Sequence, residues 1–351
     1  MRPASGASVT SAEDVPTRNS STRARPTAVV ALADVQAPIR ERLEDVKAEL
    51  RRIVDDDSPL IAGVSHHLLG MKGKLFRPTL VLLSSAATGD PQTTANTLAA
   101  VLELMHLATL VHDDAVDHSA LRRGMPTLNA LFSHQISVIA GDFLYLRALR
   151  ELSRLGDLQA LRVLTEASVE MTRGELRQLT YGDPLEFGER DYEALIGAKT
   201  AALFGAACEV GALCGAAEYR TELARYGERL GMAFQVIDDV LDYTSGQEVT
   251  GKPGGLDLRE RKMTLPLIAA MREMGAAGRS RVEALFAAEA PSEGDIHAVI
   301  ALVAEYGGIA YALRRGALYA QEAEQAIAGL PATPAVGALH RAIAYVLDRR
   351  S

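Results

Sequence analysis

From Val35 onward, apolar positions recur at three- and four-residue intervals, the period of a helix with one buried face. Ile39, Leu43, Val46, Leu50 and Ile53 set the pattern before Asp55-Asp-Asp-Ser-Pro59 interrupts it. A short helix is expected from Pro59, with proline in its first turn. Residues 79–88 read as helical, and Asp90-Pro91 offers an N-cap and first-turn pair for a long segment running unbroken to His118. Helical patterns resume at about 127–155, 157–181, 189–217, 219–245, 264–276, 292–304, 307–329 and 334–349, with Gly or Pro at most joints. No run alternates apolar and polar residues in a way that requires a strand. Residues 1–33, rich in Ser, Thr, Ala, Arg and Pro without periodicity, read as a disordered tail. No low-complexity linker divides the chain after residue 34, so one all-α domain over 34–351, of ten or more helices, is expected.

Composition supports that pattern. The apolar residues are mostly Ala, Leu and Val, Trp is absent, and the bias toward Ala, Leu, Glu and Arg favours helix over strand. A net charge of −8 without a long basic run gives no footprint for nucleic acid. The first thirty residues lack the apolar core of a signal peptide. The apolar stretch Thr200–Ala217 is too short and too interrupted to span a bilayer, so no transmembrane segment is expected and the protein reads as cytoplasmic. Cys208 and Cys214, six apart in an apolar helical stretch, read as reduced core thiols.

Charge placement changes the picture. Leu110-Val-His-Asp-Asp-Ala-Val-Asp117 ends an apolar helical run with three carboxylates, and Phe234-Gln-Val-Ile-Asp-Asp-Val-Leu-Asp242 repeats them at identical spacing. On a helix Asp113 and Asp117 stack one turn apart with Asp114 beside them, and Asp238, Asp239 and Asp242 do the same. Like charges one turn apart destabilise a helix, and acids at its C-terminus oppose the macrodipole. A compensating cation is therefore expected at both places, and all-oxygen donors point to a hard ion, Mg²⁺ before Zn²⁺ or Cu²⁺. Lys74, Arg77, Arg122, Arg123, Lys199, Lys252 and Lys262 lie close to these motifs and could hold an anionic ligand despite the overall charge. Two such clusters facing each other would clamp a diphosphate through Mg²⁺ and turn it into a leaving group.

These residues carry a resemblance. Gly73-Lys-Leu-Phe-Arg-Pro78, His112 to Asp117 with Arg122-Arg-Gly-Met-Pro-Thr127, Gly141-Asp-Phe-Leu144, Gly174-Glu-Leu176 with Gln178, Lys199-Thr200, and Phe234 to Asp242 followed by Thr250-Gly-Lys252 and Asp257 to Pro266 occur in order. Over residues 35–350 the chain resembles the trans-isoprenyl diphosphate synthases, or polyprenyl synthetases. The resemblance implies an antiparallel helical bundle around an apolar cavity, a homodimer, and head-to-tail coupling of isopentenyl diphosphate to an allylic diphosphate with three Mg²⁺ per site. By the same resemblance Asp113, Asp117 and Asp238 would be the main Mg²⁺ ligands, with Asp114, Asp239 and Asp242 in or near the same shell. Arg122, Lys199, Thr200, Gln235, Lys252 and Lys262 would hold the allylic diphosphate, and Lys74, Arg77, His106 and Arg123 isopentenyl diphosphate. The departures, Lys72 in place of a glycine and Arg261 before Lys262, remove no ligand.

In that family the residues upstream of the first cluster set product length. Ala108 and Thr109 are not aromatic and Met105 is a flexible floor, so a product longer than C20 is expected. The competing readings are a short-chain synthase of the same family, a class I terpene cyclase, a helical phosphohydrolase built on His112 and Asp113, and a subunit without chemistry. Lys74, Arg77 and Arg123 argue against the cyclase, the second cluster against the hydrolase, and the retention of all six aspartates against the inert subunit.

Overall fold

The computed structural model describes residues 30–71, 73–244 and 254–349. The expected tail lies outside these residues up to position 29, as do Lys72 and Lys252. The first helix, α1 (Leu32–Gln36), begins two residues inside that tail because Val35 is fully buried in the core.

A single 3₁₀ turn carries the chain into α2 (Arg40–Val54), whose buried stripe is the one the periodicity singled out. Helices α3 (Pro59–Gly70), α4 (Phe76–Ser85) and α5 (Thr94–Val116) come next. The expected N-cap at Asp90-Pro91 is not used. That segment is pinned to the far end of a later helix instead: Gln92 N donates to Cys214 O (3.0 Å) and Thr88 Oγ1 to Gly215 O (2.5 Å), and α5 starts only at Thr94. A proline biases the residue before it away from the helical region, yet Arg77 stays helical ahead of Pro78. Leu75 takes the left-handed turn (φ 48°), leaving Arg77 and Pro78 in the first turn of α4, while Lys74 stays in the preceding loop.

After α5 the chain makes a two-residue hairpin, β1 (Leu121–Arg122) against β2 (Met125–Pro126), which no alternation had announced. Its turn residues Arg123 and Gly124 both have positive φ (52° and 76°), the condition for the tight turn that matches strand twist. The short α6 (Leu128–Leu131) leads into the long α7 (His134–Leu155) and α8 (Leu158–Thr180), the last two capped by Ser133 and Asp157 side chains. Helix α9 (Glu189–Ile196) runs through a wide π turn at Gly197–Ala201 into α10 (Ala202–Leu213). Beyond α11 (Arg220–Thr244) come α12 (Leu256–Arg259), α13 (Leu265–Glu273), α14 (Ala276–Ala287), α15 (Glu293–Glu305), α16 (Gly308–Ala326) and α17 (Pro334–Leu347). α12 and α14 were not legible as helices in the apolar pattern.

The result is all-α, with one continuous buried core from Val35 to Val346. α10 lies centrally, packed against α4, α5, α8 and α11, so the two aspartate-bearing helices α5 and α11 lean on a common neighbour. Close approach is built in at Gly227, where a Cβ would meet Phe204 O at 2.3 Å, so α10 and α11 pack almost backbone to backbone. By length and composition Thr94–Val116 and Glu189–Leu213 could cross a membrane, and a bent pair at 293–326 could be a third span. Both single candidates are mostly enclosed by other helices here, and α5 buries Glu103, His106 and Asp114. Cys208 and Cys214 are buried free thiols, as expected.

Candidate active site

The first cluster sits on the last turn of α5. Asp117 is the C-cap, its amide donating to Asp113 O (2.8 Å), and its side chain is exposed. Burial, helped by Glu175 and Asp117 against the pull of Lys199 and Arg122, pushes the Asp113 carboxyl up to about 6. Asp114 points the other way. It is buried and takes both of its hydrogen bonds from Arg122 Nε, at 2.8 Å to each oxygen. Arg122, expected on a substrate diphosphate, is thus engaged with an aspartate expected at the metal.

The second cluster is divided in the same manner. Asp238 is exposed and receives Arg349 Nη2 at 3.2 Å. Asp239 is buried in a polar chain: Thr200 Oγ1 donates to Gln235 Oε1 (2.8 Å), Gln235 Nε2 donates to Asp239 Oδ1 (2.8 Å), and Tyr192 OH donates to Asp239 Oδ2. Asp242 caps α12, accepting from Leu256 N and Asp257 N at 3.0 Å each. Burial raises the carboxyls of Asp239, Asp242 and Asp257, and neighbouring acids raise each further, against the hydrogen bonds that Asp239 accepts from Tyr192 and Gln235 and Asp242 from the Leu256 and Asp257 amides.

Cations stand between the two clusters. Burial lowers Lys262, but its bond to Glu260 (2.6 Å) and the fields of Asp257 and Asp117 more than offset that, so this lysine senses both clusters at once. Lys199, on the π turn, donates to Gln178 Oε1 (2.8 Å) and pairs with Glu175. Gly174 makes room for it, since a Cβ there would lie 3.0 Å from Lys199 Cγ. A single π turn that reorients one lysine is a common device at functional sites.

A second cationic group lies under the Gly73 loop. Arg77 is partly buried, its guanidinium 4.9 Å from the Phe204 ring centroid and its Nη1 2.9 Å from His106 Nε2. Because arginine can only donate, Nε2 must accept, which places the His106 proton on Nδ1. That Nδ1 and Arg77 Nε have no hydrogen-bond partner among the described residues. Burial pushes Arg77 down to about 10 and, together with Arg77 and Arg123, holds His106 well below its ordinary value. Lys74 and Arg77 both feel Asp238, Arg123 and Arg349, which ties this group to the second aspartate cluster.

Sequence reasoning missed Arg349, Glu103, Tyr192 and Asp257. Arg349 folds back from the end of α17, its guanidinium 4.1 Å from the Phe234 ring centroid, with Nε and Nη1 buried and unpartnered among the described residues. Beneath both arginines Phe76, Phe204, Phe234 and Tyr345 form one aromatic cluster, ring centroids 5.1–6.0 Å apart. Further down α5, Met105 and Ala108 are buried, and Thr109, partly exposed one turn below Asp113, returns its hydroxyl to His106 O (2.8 Å).

The donor set fits a hard divalent cation. It is all carboxylate oxygen, which suits Mg²⁺, an ion that takes one or two carboxylates and leaves its other positions to water and phosphate.

This architecture is the all-α isoprenoid synthase fold. The chain belongs to the polyprenyl synthetase family, whose profile matches residues 58–303, and it is an enzyme of the polyprenyl diphosphate synthase type. It is 37% identical over 318 residues to the all-trans-nonaprenyl-diphosphate synthase (geranyl-diphosphate specific) of Rhodobacter capsulatus, covering 90% of this chain and 97% of that protein. It is 35% identical to the octaprenyl diphosphate synthase of Haemophilus influenzae, over 86% of this chain and 92% of that one. Among solved structures, a polyprenyl synthase from Caulobacter crescentus, complexed with calcium and isoprenyl diphosphate, superposes with a TM-score of 0.87 at 32% identity, covering 93% of this chain and all of that one. The family is magnesium-dependent.

Proposed function

We propose that this protein joins isopentenyl diphosphate to an allylic diphosphate, head to tail and in the trans sense, to make a polyprenyl diphosphate longer than C20. The observation that carries the reading is two sets of cations beside the aspartates: Lys199 acts on Asp113 and Lys262 lies in the field of Asp117, while Lys74 and Arg77 lie with Arg123 in the field of Asp238. One group serves each diphosphate, and a cyclase or a hydrolase needs only one.

Asp113, Asp117 and Asp238 are the carboxylates placed to hold Mg²⁺, and three ions per site are the proposed complement. Bound there, magnesium supplies Lewis-acid neutralisation of the leaving diphosphate. The chain's own residues do the rest. Lys199 and Lys262, with Lys252 outside the described residues, take the charge of the allylic diphosphate, and the Thr200–Gln235–Asp239–Tyr192 chain fixes the wall behind it. Asp114, Asp239 and Asp242 position that wall and its loops rather than meeting the ion, and Arg122 holds Asp114. Lys74, Arg77, Arg123 and the His106 Nδ1–H hold isopentenyl diphosphate, and Arg349 closes over it from the C-terminal side. When the allylic C–O bond breaks, its electron pair leaves with diphosphate. The isopentenyl double bond then attacks the allylic carbon, and a proton passes from the new chain to the departed diphosphate, which restores the alkene. The Leu, Ala and Val side chains of α5, α10 and α11 keep water from the cation.

The deciding experiment supplies Mg²⁺, isopentenyl diphosphate and each allylic primer in turn. Elongation requiring both substrates supports the synthase. Cyclic hydrocarbon from primer alone, bare phosphate release, or no turnover would each sink it.

Metal affinity should weaken with acid. The Asp113 carboxyl, raised to about 6, must be ionised to ligate, so Mg²⁺ competes with a proton there. A calorimetric Mg²⁺ titration should show affinity falling as pH drops through about 6. Without metal the sign reverses for stability. A carboxyl raised in the folded state binds more protons there than in the unfolded chain, so its contribution improves as pH falls from about 6 toward the ordinary carboxylate range. An affinity flat through that window would remove Asp113 from the ligand set.

We also propose a homodimer in the cytoplasm. Ile139 and Leu146 on α7, and Val169, Leu176 and Leu179 on α8, are exposed at near-helical intervals and form an apolar face suited to a second copy.

A further inference from the structure

We propose that Glu103 is a positioning residue for isopentenyl diphosphate: its buried carboxylate is the stand-off counter-charge that keeps Arg77 and Arg123 side by side with their donors free for the substrate. The proposal rests on the assignment of that cationic group to isopentenyl diphosphate.

Three elements meet at this carboxylate. Glu103 lies on α5 one turn before His106 and is 6% exposed. Arg77 comes from the first turn of α4, and Arg123 from the left-handed corner of the hairpin. The Gly73 loop passes over both. A Cβ at Gly73 would lie 3.2 Å from Arg123 Nη1 and 3.7 Å from Glu103 Oε1, so the loop backbone sits against both groups and a side chain there would press on the end of Arg123. Burial holds the Glu103 carboxyl above its ordinary value, and Arg77 and Arg123, the charges that act on it, pull it part of the way back.

The spacing has a chemical consequence. A guanidinium closed onto a carboxylate as a two-pronged pair has spent its fork and cannot offer it to a phosphate. Arg122 goes part of that way, its one Nε–H shared between both Asp114 oxygens at 2.8 Å. Neither Arg77 nor Arg123 forms such a pair with Glu103: Arg77 gives Nη1 to His106 and leaves Nε unpartnered among the described residues. Arg123 and Arg349 both lower Lys74 and Arg77, the mark of cations repelling across the pocket, while Asp238 acts against that on both and Glu103 on Arg77. Glu103 opposes that repulsion from behind without occupying the donors.

The test is Glu103→Gln, which keeps the shape and removes the charge, with Glu103→Asp as the conservative partner and Gly73→Ala as a variant that presses on Arg123 from the loop and leaves the α5 sequence unchanged. Steady-state kinetics are measured for each substrate separately, and isopentenyl diphosphate binding by calorimetry. For Glu103→Gln the KM for isopentenyl diphosphate should rise about tenfold, with kcat at saturation and the KM for the allylic substrate within about twofold of the parent. Glu103→Asp should recover part of the loss, and Gly73→Ala should move the same KM in the same direction. Equal rises in both KM values would mean a merely structural role, and an unchanged or lower KM for isopentenyl diphosphate would mean that Glu103 does not position the arginines. Either result overturns the proposal. If the parent enzyme itself does not bind isopentenyl diphosphate, the assignment of the pocket falls as well. If the parent binds it and Glu103→Gln binds equally, only the positioning role falls.

Discussion

Asp113→Asn should abolish prenyl transfer while leaving the helical bundle intact. Asparagine keeps the size and one oxygen but not the charge that a hard cation requires. If the metal neutralises the departing diphosphate, losing a main ligand should cost several kcal/mol of transition-state stabilisation, about a thousandfold or more in rate. The geometry predicts a second, opposite effect. Asp113 is a carboxyl raised by burial and by its neighbours Glu175 and Asp117, so the metal-free protein carries an electrostatic penalty at this position. Removing the charge should leave the metal-free melting temperature unchanged or higher. An active site held in local strain that ligand binding relieves shows this exchange of stability for function. The discriminating measurement is the pair of readings: turnover with Mg²⁺ and thermal unfolding without it. A variant that loses both activity and stability would make Asp113 a structural residue, and one that keeps its rate would remove it from the diphosphate clamp.

The same aspartates show what a linear sequence can and cannot disclose. Their four-residue spacing on apolar helices is a local pattern, and local patterns survive folding: α5 and α11 carry them where periodicity put them. The division of labour within each cluster is not local. Asp114 turns to Arg122 because the hairpin brings that arginine back, and Asp242 caps α12 across fourteen residues. Two-residue strands have no alternation to read, so the hairpin left only Gly124 as a trace. α14 was missed because its buried side is mostly Gly278, Val282, Leu285 and Phe286, too few apolar positions to set a period. The proline rules failed where tertiary contacts outweighed them. Leu75 absorbed the turn that Pro78 would have imposed on Arg77, and the bonds of residues 88–92 to the end of α10 overrode the cap at Asp90. Arg349 had no signal at all, since a terminal arginine next to charged neighbours reads as a solvated end until α17 swings it onto Phe234 and Asp238.

Ala108→Phe should shorten the product from above C20 to C20 or below. The growing chain must extend from the aspartates into the bundle, past the residues one turn and more beneath Asp113. Thr109 stands at i−4 from Asp113 and is partly exposed, with its hydroxyl turned back to His106 O (2.8 Å), so it presents its methyl rather than a polar group to its surroundings. Ala108 is 1% exposed and Met105 2%, so at this level α5 turns one small and one flexible side chain into the interior. A phenyl ring at 108 has two courses. It can swing toward the channel and act as a floor, or it can strain the packed interior at a cost of about 1–3 kcal/mol. The two are separable by mass spectrometry of the products beside the melting temperature of the variant. A shorter product from a protein of near-parental stability identifies the floor. A less stable protein with the parental product shows that residue 108 faces packed helices rather than the chain. Thr109→Phe, on the partly exposed side of α5, is then the variant that must shorten the product. If neither does, chain length is set elsewhere in the bundle, and the open level beneath Asp113 does not govern it.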